Sequence, residues 1–142
     1  MMENTNEMQI IFDSRPANEG LARVTVAAFC TQLNPTLEEV ADLKTAVSEA
    51  VTNCIIHAYD GKVQKIEMDC RLKGQELLVD IRDYGTGIPD IKQAMEPLFT
   101  TRPDKERSGM GFTFMEAFMD EVTVESQPGK GTTVHMKKII GR

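Results

Sequence analysis

Between Leu37 and Ala58 the apolar residues recur at a spacing that only a helix with one buried side satisfies. At about 100° per residue, Leu43, Val47, Ala50, Val51, Cys54 and Ile55 gather on a single stripe that the rest of the chain must cover. Thr36-Leu37-Glu38-Glu39 supplies a capping box, with Thr36 accepting the third backbone N–H of the helix and Glu39 reaching back. Tyr59-Asp60-Gly61-Lys62 ends the run as a loop. Away from the apolar stripe, Glu49 and Asn53 stand one turn apart. A carboxylate and a carboxamide held together on an anchored helix can bind a hard cation such as Mg²⁺, or poise a proton acceptor beside one. The same pattern is more commonly a solvated helix face. The segment alone does not choose.

Length and composition narrow the classes. A chain of 142 residues is expected to be one domain, 1–142, with a sizeable core. No apolar run approaches the roughly 18 to 20 residues that span a bilayer. Met1-Met2-Glu3-Asn4 lacks the charged and apolar regions of a signal peptide. Cys30, Cys54 and Cys70 are odd in number and sit in apolar patterns, so they read as buried thiols of a reducing cytosol. A cytoplasmic protein without a membrane partner is expected. The net charge of -6 argues against direct nucleic-acid binding, which calls for a basic stripe.

The flanking segments set the fold class. Met8–Phe12 is a short β-prone run. Asp13-Ser14-Arg15-Pro16 then offers a capping residue and a proline for a helix whose buried side would be Leu21, Val24, Ala28 and Leu33. Glu19 and Arg23 project from it as either a surface ion pair or a contact surface for another protein. Asn34-Pro35 breaks that helix. Ile66, Met68, Cys70 and Leu72, then Leu77, Val79 and Ile81, alternate as a hairpin turned at Lys73-Gly74-Gln75. A short helix is expected from Asp90 to Met95, followed by an unusually long loop to Gly111. Gly111–Met119 restores a helical pattern with a core-facing aromatic and methionine stripe. Val122–Val124 and Val134–Met136 form a last hairpin. The order β-α-α-β-β-α-β-β predicts an α+β two-layer sandwich, a mixed, mainly antiparallel sheet covered by helices on one face.

Three glycine-bearing stretches follow the Glu49/Asn53 helix: Asp83-Tyr84-Gly85-Thr86-Gly87, Ser108-Gly109-Met110-Gly111 and Gly129-Lys130-Gly131-Thr132. Singly they are a turn, a helix entrance and a hairpin. In this order, over residues 45 to 133, they resemble the N, G1, G2 and G3 boxes of the GHKL (Bergerat) ATPase/kinase superfamily, which has a histidine-kinase-like ATP-binding fold. No Walker loop occurs. The resemblance implies ATP and Mg²⁺. Asp83 would accept the exocyclic amine of adenine, a task for a group without competing donors. Gly85 and Gly87 would let the backbone approach the purine. Ser108, Gly109, Met110 and Gly111 would offer N–H groups to phosphate at a helix mouth. It further implies that Asn53 reaches the phosphates through Mg²⁺ and that Thr132 lies near the base. The segment Phe99–Ser108, with Thr100 and Thr101, would be an ATP lid carrying Arg107 against phosphate charge.

Ser48-Glu49-Ala50-Val51-Thr52-Asn53, Leu98-Phe99-Thr100-Thr101-Arg102-Pro103, Ser108-Gly109-Met110-Gly111-Phe112 and Phe118-Met119-Asp120-Glu121-Val122 are similar to the stand-alone serine-kinase anti-sigma factors, and, with Arg23-Val24-Thr25-Val26-Ala27-Ala28-Phe29, to their sporulation branch. Such proteins bind an RNA polymerase sigma factor as a homodimer and phosphorylate a serine of a small anti-anti-sigma protein. The resemblance therefore implies sigma F as the sigma partner, with a sigma B-type stress factor as the alternative. Glu49 would be the catalytic base, and Glu19 and Arg23 the partner surface. Cys54 stands where alanine is usual, Arg102 where lysine is common. Two rivals remain: a non-catalytic ATP-gated binding module, and a gyrase- or Hsp90-type ATP hydrolase, which would need further domains. His57 reads as a structural residue at a helix end, since no separate dimerisation helix presents it as a phosphoacceptor.

Overall fold

Ile66, Met68, Cys70 and Leu72 all turn to one side of a strand, as their alternation requires, and face Leu77, Val79 and Ile81 of the next. The computed structural model describes residues 5–59, 62–88 and 111–141. Its elements are β1 (Thr5–Asp13), α1 (Ala17–Cys30), a 3₁₀ turn (Thr31–Leu33), α2 (Leu37–Asn53), a π turn (Cys54–Ala58), β2 (Lys65–Lys73), β3 (Glu76–Asp83), α3 (Gly111–Phe118), β4 (Glu121–Gln127) and β5 (Gly131–Ile139). The five strands lie in the order β1-β2-β3-β5-β4, and every neighbouring pair is antiparallel. The expected mixture is thus wholly antiparallel among the described strands. The connection through α3 carries the chain past β5 to the sheet edge, so β4 never pairs with β3. The short helix expected over 90–95 lies outside the described residues.

The core lies between the inner face of the sheet and the helices. Leu43, Ala46, Val47, Ala50 and Val51 of α2 are buried as one stripe, with Cys54 continuing it and Ile55 at its half-buried margin. Phe112, Met115 and Met119 join the same cluster. The capping box at Thr36 is complete: Glu39 N–H donates to Thr36 Oγ1 at 3.0 Å and Thr36 N–H to Glu39 Oε1 at 2.9 Å. Asn34, in the left-handed region at φ 52°, makes the break before Pro35. On the other face of the sheet, Arg82 pairs with Glu67 at 3.1 Å and Asp69 at 3.6 Å, and His135 meets Asp80 at 2.8 Å. That face is a self-paired polar ladder.

Two details of α1 depart from expectation. Its N-cap is Pro16, without a side-chain cap; Ser14 is buried instead, its Oγ accepting from Gln64 N–H at 3.0 Å. The buried side is Ala22, Val26, Phe29 and Cys30, whereas Leu21 and Val24 are 51% and 62% exposed and Ala28 is also exposed. Leu33 is buried as expected. A face through Leu21 and Val24 would have turned Phe29 and Val26 to water, a larger apolar loss. The helical run from Leu37 reaches Ala58 as expected, but its last turn widens to π geometry.

Leu43, fully buried at the centre of α2, should lose about 2–5 kcal/mol on Leu43→Ala. Thr36→Ala should cost about 1 kcal/mol through the lost cap. Shifts of the urea midpoint at constant slope check both.

Candidate functional site

Asp83 is the last residue of β3 and follows the inward alternation of Leu77, Val79 and Ile81, so its carboxylate enters the core side of the sheet. It is 5% exposed. Such a charge persists only with hydrogen bonds. Its Oδ1 accepts from Gly85 N–H at 3.0 Å and Thr132 N–H at 3.2 Å, and its Oδ2 accepts from the Cys54 thiol at 3.4 Å. Burial raises the Asp83 carboxyl above its ordinary range, and these three donors oppose the rise. The same burial, and the charge of Asp83, push the Cys54 thiol well up, so it stays a donor.

The loop after Asp83 is pinned from two sides. Tyr84 N–H donates to Tyr59 Oη at 2.7 Å, and Tyr59 O–H donates to Lys65 O at 2.6 Å. Burial pushes the Tyr59 phenol to about 12, so the proton is held. Thr86 N–H donates to Ala58 O, the end of the π turn, at 2.9 Å. Gly85 lies so close that a Cβ would stand 2.1 Å from Ala58 O. Gly87, at φ 79°, would place one 2.3 Å from Gln127 O. These glycines answer first to backbone packing within the protein: the loop is pressed between the end of α2 and the last hairpin. Ile88 N–H donates to Ser126 Oγ at 2.7 Å, completing that clamp.

The expected site residues fall into two groups. Asp83, Gly85, Gly87 and Thr132 come together, and Cys54 joins them to α2 directly after Asn53. Glu49 and Asn53 are half-buried on α2. Glu49 lines a cleft of about 290 Å³ with Arg23, Ala41, Lys44, Thr45 and Ser48. Arg23 also pairs with Glu19 at 3.8 Å, and Glu19 accepts the Ser48 hydroxyl. The proposed contact surface of α1 and the α2 carboxylate therefore border one space, which the spacing of neither helix disclosed. Gly111 opens α3. Thr100, Thr101, Arg107, Ser108, Gly109 and Met110 lie outside the described residues. Sequence reasoning missed Tyr59 and Ser126 and read Cys54 as packing. The hairpin register, which sets Ser126 opposite Thr132, was the signal for Ser126.

Asp83 fixes a pH signature. Its folded carboxyl holds a proton to higher pH than the unfolded chain, so folding takes up a proton in the window above 3.8 and stability falls as pH rises through it. An asparagine has no such proton. The stability of Asp83→Asn relative to the parent should therefore increase as pH rises above 3.8, then level once Asp83 has ionised. Urea midpoints over a pH series check this, and a constant difference would contradict it.

The Histidine kinase-like ATPase domain family matches residues 12–138. The chain is 57% identical to an anti-sigma F factor of Thermoanaerobacter sp. (strain X514) over 140 residues, covering 99% of this chain and 98% of the relative. It is 54% identical to an anti-sigma F factor of Geobacillus kaustophilus (strain HTA426) over 138 residues, covering 96% and 94%. Its fold is similar to that of the RsbU and RsbW domains of Rv1364c from Mycobacterium tuberculosis, at a TM-score of 0.69 and 17% identity over 96% of this chain and 33% of that one. With these likenesses, the chain belongs to the anti-sigma F factors, a family built on the histidine kinase-like ATPase domain.

Proposed function

We propose that this protein binds a sporulation sigma factor, sigma F, and uses ATP to phosphorylate a serine of an anti-anti-sigma partner in the cytoplasm. The observation that carries this reading is the buried carboxylate of Asp83, tied through Cys54 to the helix that bears Asn53 and Glu49. A buried acceptor that pairs with no cation among the described residues, beside a glycine-pinned loop, suits an uncharged donor such as the adenine amine. Thr132, whose N–H is bonded to Asp83, is assigned to the same base. Gly111 begins α3, and the first N–H groups of a helix suit phosphate oxygens. Ser108, Gly109, Met110, Thr100, Thr101 and Arg107 are assigned to the same phosphates by the resemblance alone.

Mg²⁺ fits the donor set as a shared ion. Among the described residues no group of three or more acidic, histidine or cysteine side chains could cage a metal. Mg²⁺ in phosphoryl transfer needs only one or two protein oxygens besides phosphate, and Asn53 offers one. When bound, the ion would neutralise phosphate charge. The chemistry of the chain's own residues is then limited and definite. The serine Oγ forms a bond to the γ-phosphorus as the bond from that phosphorus to the β,γ-bridging oxygen breaks, releasing ADP. The hydroxyl proton passes to the Glu49 carboxylate. Glu49 lines the cleft between α1 and α2, the space through which a serine-bearing loop can approach.

The outward Leu21 and Val24 of α1, flanked by Glu19 and Arg23, form an apolar centre with a charged rim. That is the composition of a protein-contact surface, and we assign it to the sigma factor, with the protein acting as a homodimer. Glu49→Ala should leave ATP affinity near the parent value while slowing serine phosphorylation about 10²–10⁴-fold. Radiolabel transfer from γ-labelled ATP to the anti-anti-sigma partner, beside a nucleotide titration, checks both. Equal loss of binding and transfer would remove Glu49 from the base role, and no transfer by the parent would leave an ATP-gated binding module.

A further inference from the structure

Ser126, on β4, makes three polar contacts with one hydroxyl. Its Oγ lies 2.7 Å from the N–H of Ile88, 3.1 Å from the carbonyl of Gly131 and 2.8 Å from Oγ1 of Thr132. A hydroxyl has one proton to give and two lone pairs to receive with. A carbonyl can only accept, so the proton of Ser126 goes to Gly131 O. The bond to Thr132 must then be donated by Thr132, and the two lone pairs of Ser126 are filled by Ile88 N–H and Thr132 O–H. This ordering uses every hydrogen-bonding capacity of Ser126. It also spends the hydroxyl proton of Thr132, leaving its Oγ1 as an acceptor.

Thr132 is the register partner of Asp83 across β3 and β5, and its own N–H is bonded to that carboxylate. Two acceptors therefore stand side by side where the proposed function places the base. We infer that Ser126 is a specificity-determining positioning residue: by holding the Thr132 hydroxyl in its acceptor sense it makes the pocket select a purine with an exocyclic amine over one with a carbonyl at that position. The inference rests on the assignment of Asp83 and Thr132 to the base. Adenine presents two N–H protons to such a pair, whereas guanine presents a carbonyl oxygen to acceptors that cannot donate. Without Ser126 the Thr132 hydroxyl is free to rotate and donate, and the penalty against guanine falls. The contact to Ile88 gives Ser126 a second effect, since it also ties the glycine loop to the last hairpin.

The test is equilibrium binding of Mg-ATP and Mg-GTP to the full chain and to Ser126→Ala, Ser126→Thr, Thr132→Val, the Ser126→Ala/Thr132→Val pair and Asp83→Asn. Ser126→Ala should weaken ATP and reduce the ATP-over-GTP preference about ten-fold, the scale of one misoriented polar group in a site. Ser126→Thr, which keeps the hydroxyl, should restore the preference. Thr132→Val should reproduce the loss, and the pair should lose no more than either alone, because both act on one group. An unchanged preference in Ser126→Ala or in Thr132→Val, or additive losses in the pair, overturns the inference. If Asp83→Asn also binds ATP as the parent does, the base assignment itself has failed and the inference falls with it. If Asp83→Asn loses ATP while Ser126→Ala keeps the preference, only the role of Ser126 is refuted. A general loosening of the fold would weaken both nucleotides alike and leave the ratio unmoved, which counts against the inference.

Discussion

One buried carboxylate organises this molecule. Asp83 ends β3, bonds the loop that follows it, the strand opposite it and the thiol at the close of α2. Each donor comes from a different element, so a single side chain fixes how helix, sheet and loop meet. Burial makes that charge costly, and the opposing donors recover only part of the cost. A residue chosen for stability alone would be apolar there, as Leu77, Val79 and Ile81 are on the same face. The penalty is what a binding acceptor requires: a carboxylate already stripped of water loses little more when a ligand donates to it.

The glycines around it serve the same arrangement from the other side. Gly85 lets the loop touch the last carbonyl of the α2 run, and Gly87 lets it touch the turn of the final hairpin. The loop after Asp83 is therefore seated by backbone contacts that no side chain could share. The polar hub at Ser126 closes the ring, linking Ile88, Gly131 and Thr132. Backbone contacts build the base end, whereas the α1–α2 cleft is lined by the side chains of Arg23, Lys44 and Glu49. A site that grips one substrate and admits a second, bulkier one needs both kinds of wall.

Much of this was legible in the sequence because periodicity reports burial. The stripe Leu43-Val47-Ala50-Val51-Cys54 and the alternation of β2 and β3 each had one packing solution. On α1 there were two, and the large aliphatic residues misled: Leu21 and Val24 look like core, yet Phe29 and Cys30 decide the face. The capping box at Thr36 was readable because both partners are local, whereas Pro16 capped α1 without any side chain. Asp83, Gly85, Gly87 and Thr132 could be named through the resemblance that their order carries, but the bond from Cys54 to Asp83 could not, since it joins residues 29 apart on different elements. Nor could the shared border of Arg23 and Glu49, which depends on how two helices cross.

The central claim is that the base of a nucleotide enters at Asp83 while its phosphates extend towards the end of α2. Amide resonances followed during titration with a non-hydrolysable ATP analogue and Mg²⁺ test it most directly. The account expects the largest shifts at Gly85, Thr86, Thr132 and Asn53, with Asp80 and His135 on the opposite face of the sheet unmoved. Shifts centred on that opposite face, or none at saturating analogue, would contradict it.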